Sequence, residues 1–263
     1  MSGESLHQHC TECNPPTPSA EGITTIGQNH VARPARFPLN KRMSKPWGVL
    51  FDWDGVVIDS SAQHERSWEL LAAEKGLILP VGHFKAGFGK KNEVIIPSMG
   101  WGTDPAVVKE LADRKETLYR QLVAAEGVLV LPGARELLIS LKDAGIPSAV
   151  GSSTPRENLD ALFAVTGLDA LFDAVVCGSD VIHGKPDPEV FLKGASLLGL
   201  DPSRCLVIED AFAGIEAARR GGMRVLGVAT TNPVESLKDC DLAVATLSEV
   251  TPEILGNLMN VDS

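Results

Sequence analysis

The sequence lacks the features that would assign it to several large classes of protein. It contains no apolar run that approaches the ~18 residues of a membrane-spanning helix, and its N-terminus has no apolar signal-peptide core. Basic residues are outnumbered, 24 Lys and Arg against 34 Asp and Glu, which gives a net charge of −10. Nucleic acids and anionic membranes bind basic surfaces, so we expect neither as a partner. The expected location is cytoplasmic.

Regular cysteine spacing is also missing. The five cysteines are an odd number without the spacing of a disulfide framework, so we expect free thiols in a reducing compartment. The chain of 263 residues needs no such staples, because it is long enough to bury a substantial core. Its length allows one large domain, or one domain plus a small one.

Residues 1–44 differ from the rest of the chain. They are polar and contain a proline-rich stretch without helical or strand periodicity, so we expect a disordered tail. Met43 stands just before an apolar strand, and we interpret it as the true start of the protein. The tail also contains four possible zinc ligands, without a second pair or a flanking fold signal: His7, His9, Cys10 and Cys13.

From Gly48 onward, short apolar runs alternate with segments of helical spacing. The apolar runs lie at 48–51, 148–151, 174–177, 206–208, 225–228 and 242–245. Helices are predicted at 61–74, 103–125, 132–144, 155–166, 188–198 and 213–220. Short, continuously apolar strands that alternate with helices are typical of a parallel sheet covered on both faces. The sequence therefore predicts an α/β fold.

One long interval interrupts this alternation. Residues 62–127 contain no strand run, so we interpret them as a helical cap inserted after the first strand. The predicted domains are a catalytic core formed by 45–60 and 128–263 and a helical cap formed by 61–127.

Polar side chains follow the predicted strands, at the edge where open parallel sheets bind their ligands. Each motif alone could be a turn or a helix cap, but the whole set, in order at successive strand ends, indicates phosphoryl transfer. The candidate residues are Asp52, Asp54, Ser152, Ser153, Lys185, Glu209 and Asp210.

The two aspartates have separate roles in such a reaction. Asp52 is ionised at neutral pH, since a free Asp has a pKa near ~3.9, and it can attack phosphorus without an activating base. Asp54 lies two residues on and faces the same way in an extended chain. It can protonate the leaving oxygen and then deprotonate the acceptor.

Carboxylates beside a phosphate dianion need a compensating cation, and Mg²⁺ prefers carboxylate and phosphate oxygens. The expected metal ligands are Asp52, Glu209, Asp210 and the backbone carbonyl of Asp54. The residues expected to bind the phosphoryl oxygens are Ser152, Ser153 and Lys185.

Four motifs together resemble the haloacid dehalogenase-like superfamily, and within it the β-phosphoglucomutase-like phosphatases. They are DWDGVVIDS at 52–60, GSS at 151–153, KPDP at 185–188 and IEDAFAGIEAA at 208–218. The resemblance covers about 46–244. It implies a Rossmann-like core, a four-helix cap and an aspartyl-phosphate intermediate, with Asp52 as nucleophile and Asp54 as acid/base.

The resemblance also identifies candidate specificity residues in the cap. His64 lies in a His-x-Arg-x-Trp pattern similar to that of the mutase, and Lys115 follows an arginine as the mutase's cap lysine does. The mutase's phosphate-gripping cap arginine is replaced, and Lys90 or Lys91 could take its place, although lysine lacks the bidentate fork. His64 could instead be a hinge residue, and the two lysines a solvated helix start.

The predicted function is Mg²⁺-dependent hydrolysis of a small phosphorylated metabolite, with a sugar phosphate as the expected substrate. The alternatives are a hexose-phosphate mutase, an inorganic pyrophosphatase and, last, a binding module without activity. Members of the subgroup are often monomeric, and we expect a monomer.

Overall fold

The fold is an α/β sandwich with helices on both sides of one parallel sheet. A computed structural model describes residues 46–87 and 90–259. The strands are β1 Gly48–Phe51, β2 Ile58–Asp59, β3 Leu129–Val130, β4 Ser148–Gly151, β5 Ala174–Val176, β6 Cys205–Glu209, β7 Arg224–Val228 and β8 Leu242–Val244. The helices are α1 Ser61–Lys75, α2 His83–Gly87, α3 Asn92–Ser98, α4 Pro105–Glu126, α5 Ala134–Asp143, α6 Arg156–Thr166, α7 Glu189–Leu197, α8 Phe212–Arg220 and α9 Pro252–Met259.

Six strands form the sheet in the order β5-β4-β1-β6-β7-β8, and every pair is parallel. Successive side chains of a strand point to opposite faces, and β1 has an apolar core on each side. Val49 and Phe51 belong to one buried cluster, whereas Leu50 belongs to the other. Burial on both faces explains why the strands are continuously apolar. The predicted α/β fold is confirmed.

Helices α1 to α4 form a separate layer, which we call the cap. They enclose a third buried cluster that contains Trp68, Leu71, Ile96 and Trp101. The rings of Trp68 and Trp101 meet edge to face with centroids 5.8 Å apart. A helical cap inserted after the first strand is therefore confirmed, while the domain boundaries themselves stay predictions.

A small antiparallel sheet joins the cap to the core. Ile58 of β2 pairs with Val130 of β3, and Asp59 pairs with Leu129. The segment that leaves the core and the segment that returns to it therefore lie next to each other. The sequence does not predict this pair, because two-residue strands carry no recognisable period.

Local chemistry sets the ends of the longest helix. Asp104 precedes α4, and its side chain accepts hydrogen bonds from the N–H groups of Ala106 and Val107. Pro105 occupies the first turn, where a missing N–H has no cost. Gly127 ends the helix with a positive φ of 72°, a conformation that glycine adopts without strain.

The predictions for the tail lie outside the described residues. These are the disorder of 1–44, the start at Met43 and the possible zinc ligands. Within 46–87 and 90–259, no helix is long and apolar enough to cross a membrane.

Candidate active site

The candidate residues of the core meet at the carboxyl edge of the sheet. Asp52 follows β1, Ser152 follows the neighbouring β4, and Asp210 follows β6 on the other side of β1. Lys185 reaches this edge from the loop between β5 and α7. Three adjacent strands and one loop therefore bring together groups that lie far apart in sequence.

Lys185 is the central cation of this cluster. Its Nζ lies 2.6 Å from Asp52 Oδ1 and 2.8 Å from Glu209 Oε1. Burial alone would lower the pKa of Lys185, but the carboxylates of Asp52 and Glu209 outweigh it and hold that pKa above its ordinary value. The ammonium group is therefore charged and faces the oxygens of the proposed nucleophile.

Three buried carboxylates surround this single cation. Oxygens of Asp52, Glu209 and Asp210 all lie within 4.8 Å of one another. Burial, with the neighbouring Glu209 and Asp210, raises the pKa of Asp52 well above its ordinary value, although Lys185 opposes this. Burial and Glu209 raise the pKa of Asp210 to about 7. The group has an excess of negative charge that a divalent cation would relieve.

The donor set fits Mg²⁺, since it consists of buried carboxylate oxygens. Thr231 donates a hydrogen bond to Asp210 Oδ2, and Asn232 Nδ2 lies 2.9 Å from the Asp210 carbonyl oxygen. Glu209 Oε2 accepts the N–H groups of Asp210 and Ala211, both at 2.7 Å. Neighbouring groups thus orient Glu209 and Asp210 before any cation binds.

Asp54 lies beside this cluster with different partners. Ser60 Oγ donates to Asp54 Oδ1 at 2.5 Å, and Thr154 Oγ1 donates to Oδ2 at 2.6 Å. Burial raises the pKa of Asp54, and the two hydroxyl groups oppose that rise. Asp52 is thus held by an ammonium group and Asp54 by neutral hydroxyls, so the two carboxyl groups have different surroundings. Coordination by the Asp54 backbone carbonyl stays a prediction.

Sequence reasoning missed both hydroxyl partners of Asp54. Ser60 ends the first motif, and Thr154 directly follows the predicted serine pair, so both stood beside the selected residues. Ser152 is 1% exposed, and its Oγ accepts the N–H of Thr154 at 3.0 Å, whereas Ser153 is exposed. The phosphate-binding roles of the two serines stay predictions.

Two of the four cap candidates contact each other. Lys115 Nζ lies 2.7 Å from His64 Nδ1, and the His64 ring stacks on Tyr119 with centroids 4.0 Å apart. Burial, and then the Lys115 ammonium, lower the pKa of His64 to about 3. The imidazole is therefore neutral near pH 7, and its Nδ1 accepts a hydrogen bond from the Lys115 ammonium. The Lys115 ammonium in turn attracts the Asp54 carboxylate and opposes the rise that burial causes in the pKa of Asp54.

The other two cap candidates lie at the surface. Lys90 and Lys91 are exposed and precede α3. Lys91 Cε lies 3.9 Å from the position that a Cβ on Gly184 would take, so this side chain lies beside the loop that carries Lys185. A role of either lysine in substrate selection stays a prediction.

Comparison with known proteins identifies the family of the chain. The family model described as haloacid dehalogenase-like hydrolase matches residues 48–222, and the chain belongs to this family. Its relatives place it in the β-phosphoglucomutase-like subgroup, and its enzyme class is that of a phosphatase of this type. The recognition from sequence motifs is confirmed.

Three relatives illustrate the likeness. The chain is 35% identical to the chloroplastic 5-amino-6-(5-phospho-D-ribitylamino)uracil phosphatase of Arabidopsis thaliana over 84% of its own length, but it matches only 60% of that protein. It is 34% identical to hexitol phosphatase A of Escherichia coli, covering 78% of this chain and 93% of that one. The crystal structure of a β-phosphoglucomutase from Clostridium difficile matches with a TM-score of 0.70 at 26% identity. The match covers 82% of this chain and 98% of that chain.

Gly214, in the first turn of α8, leaves room for Glu209. A Cβ at this position would lie 1.6 Å from Glu209 Oε1, the oxygen that binds Lys185. We expect Gly214→Ala to lower phosphatase activity by about 10²-fold, because the methyl group must displace this carboxylate by an ångström or more. The measurement is phosphate release by purified variant protein.

Gly256→Ala is the matched control for this substitution. Gly256 is also helical, but the nearest atom to its added Cβ is a Trp47 side-chain atom at 3.7 Å, which is ordinary contact. We expect normal activity and slightly higher stability, since alanine favours a helix over glycine. Equal activity of the two variants would show that Glu209 does not need its present position.

Proposed function

We propose that the protein is a Mg²⁺-dependent phosphatase that hydrolyses small phosphorylated metabolites through an aspartyl phosphate. The observation that carries this proposal is the pair Asp52 and Asp54, two residues apart, with an ammonium partner for one and hydroxyl partners for the other. A sugar phosphate is the proposed substrate, because hexitol phosphatase A is among the relatives.

The first step uses Asp52 as the nucleophile. One of its carboxylate oxygens attacks phosphorus, and the bond from phosphorus to the leaving oxygen breaks. Asp54 gives its proton to that oxygen, and its raised pKa favours the protonated form that this step needs. Ser152, Ser153 and Lys185 bind the phosphoryl oxygens, and the charge of Lys185 stabilises the transition state.

The second step releases phosphate. Asp54, now ionised, takes a proton from a water molecule, which attacks phosphorus and restores the Asp52 carboxylate. Asp52, Glu209, Asp210 and the Asp54 carbonyl would hold the Mg²⁺, which would supply charge neutralisation for the phosphoryl oxygens. His64, Lys90, Lys91 and Lys115 are the proposed contacts of the cap with the leaving group.

A screen of phosphorylated metabolites with Mg²⁺ tests this function. We expect free phosphate from one or a few sugar phosphates, measured against Asp52→Asn protein as the blank. β-Glucose 1-phosphate is followed in parallel for glucose 6-phosphate, and pyrophosphate is included. Glucose 6-phosphate without phosphate release would make the protein a mutase, as the Clostridium difficile relative is named. Release from pyrophosphate alone would make it a pyrophosphatase.

A further inference from the structure

A buried amide connects the core to the cap. Asn158 lies on α6 of the core and is 0% exposed. Its Nδ2 donates to Glu116 Oε2 at 2.6 Å, and its Oδ1 accepts from Arg120 Nη1 at 2.9 Å. Glu116 and Arg120 are four residues apart on α4, so they share one face of that cap helix. A carboxylate only accepts and a guanidinium only donates, which fixes the orientation of the amide.

The second oxygen of Glu116 binds two groups of the cap. Glu116 Oε1 lies 2.7 Å from Asn92 Nδ2 and 3.0 Å from Lys115 Nζ. One carboxylate therefore connects α3 and α4 of the cap to α6 of the core. Burial opposes the ionisation of Glu116, but Lys115 and the amide donors outweigh it and lower its pKa to about 2.

This carboxylate also determines where the Lys115 ammonium lies. Lysine has a flexible four-carbon stem, yet the Lys115 side chain is only 3% exposed and has two close partners, Glu116 and His64. From this position its charge acts on Asp54. Loss of the Glu116 contacts would leave Lys115 with His64 as its close partner and would remove one of the two hydrogen bonds that join Asn158 to α4.

We propose that Glu116 and Asn158 form a latch that holds the cap on the core, and that Glu116 is the positioning residue that sets Lys115 against Asp54. The chain crosses between core and cap only near β2 and β3, so contacts such as this latch must hold the cap in place elsewhere. The kinetic part of the inference rests on the proposed phosphatase function, whereas the mechanical part does not.

An exchange of the two partners tests the latch. Asn158→Asp places two carboxylates face to face. Glu116→Gln replaces one acceptor oxygen of residue 116 by an NH₂ group, which then faces another N–H donor. The double variant, Glu116→Gln with Asn158→Asp, restores every hydrogen bond, since the new glutamine donates to the new aspartate. Arg120 can still donate to residue 158.

The kinetic readout is hydrolysis of p-nitrophenyl phosphate with Mg²⁺. We expect each single variant to lower kcat by about tenfold or more, and the double variant to return within about threefold of the wild type, as coupled pairs do. KM should change little, because this substrate offers the cap no specific group. If the single variants had a lower unfolding temperature but the kcat of the wild type, the positioning role of Glu116 would be overturned.

The mechanical readout is amide hydrogen exchange, which needs no turnover. We expect faster exchange in α4 for Asn158→Asp, unchanged exchange in β1, and recovery in the double variant. Asp160→Asn, an exposed change on the same helix, is the control and should match the wild type in both measurements. Wild-type exchange in α4 of both singles would overturn the latch. Altered exchange in a protein that hydrolyses nothing would keep the latch and refute the phosphatase.

Discussion

Asp52→Asn is expected to abolish turnover, by about 10⁴-fold or more, while the protein stays folded. The amide has no negative charge and cannot form the aspartyl phosphate, and loss of a nucleophile typically has effects of this size. The fold should survive because Asn has nearly the same shape and Lys185 keeps its contact with Glu209 at 2.8 Å. Phosphate release and the thermal unfolding midpoint are the two measurements.

Removal of one of the three crowded carboxylates should not lower stability. Burial and neighbouring carboxylates already raise the pKa of Asp52, because both disfavour its ionised form. Asp143→Asn, an exposed change at the end of α5, is the matched control and should keep full activity. Near-normal turnover by Asp52→Asn would refute the nucleophilic mechanism. An acid-quenched wild-type sample should carry a phosphoryl group on the Asp52 peptide, and the variant should not.

Chelation is expected to have the second very large effect. Excess EDTA should abolish activity, and added Mg²⁺ should restore it. Asp52, Glu209 and Asp210 lie together with one lysine, whose single charge does not neutralise three carboxylates. Burial and Glu209 raise the pKa of Asp210 to about 7, so we expect the site to need a divalent cation. Full activity in excess chelator would remove the metal from the mechanism.

A second readout of the metal does not depend on turnover. A cation that binds only the folded state raises the unfolding temperature with its concentration. We expect this rise with Mg²⁺ in the wild-type protein and a much smaller one in Asp210→Asn. An equal rise in both proteins would place the metal elsewhere. The Asp143→Asn control should respond as the wild type does.

The sequence predicts the core of this protein well because the sheet is buried on both faces. A strand such as Gly48–Phe51 is apolar without interruption and is followed by the charged Asp52, so both its existence and its boundary are visible. Ser148–Gly151 also matches its predicted bounds. Once the strands are known, their carboxyl ends gather the candidate residues at one edge.

The cap and the partners of the catalytic residues are less visible. Helices α2 and α3 have only 5 and 7 residues, too few for a helical period to stand out. The bond between Thr154 and Asp54 spans 100 residues, and that between Asn158 and Glu116 spans 42. Pairings of this kind depend on tertiary packing, which no local pattern of one sequence encodes.

The paired strands β2 and β3 have a consequence for how such enzymes can diversify. Neighbouring antiparallel strands lie about 4.8 Å apart, so the inserted segment begins and ends at almost the same point of the core. A segment of different length or shape could therefore be exchanged there without any change in the connectivity of the sheet. The sheet with its carboxylates and the inserted helices can then be inherited, or engineered, as separate segments of the chain.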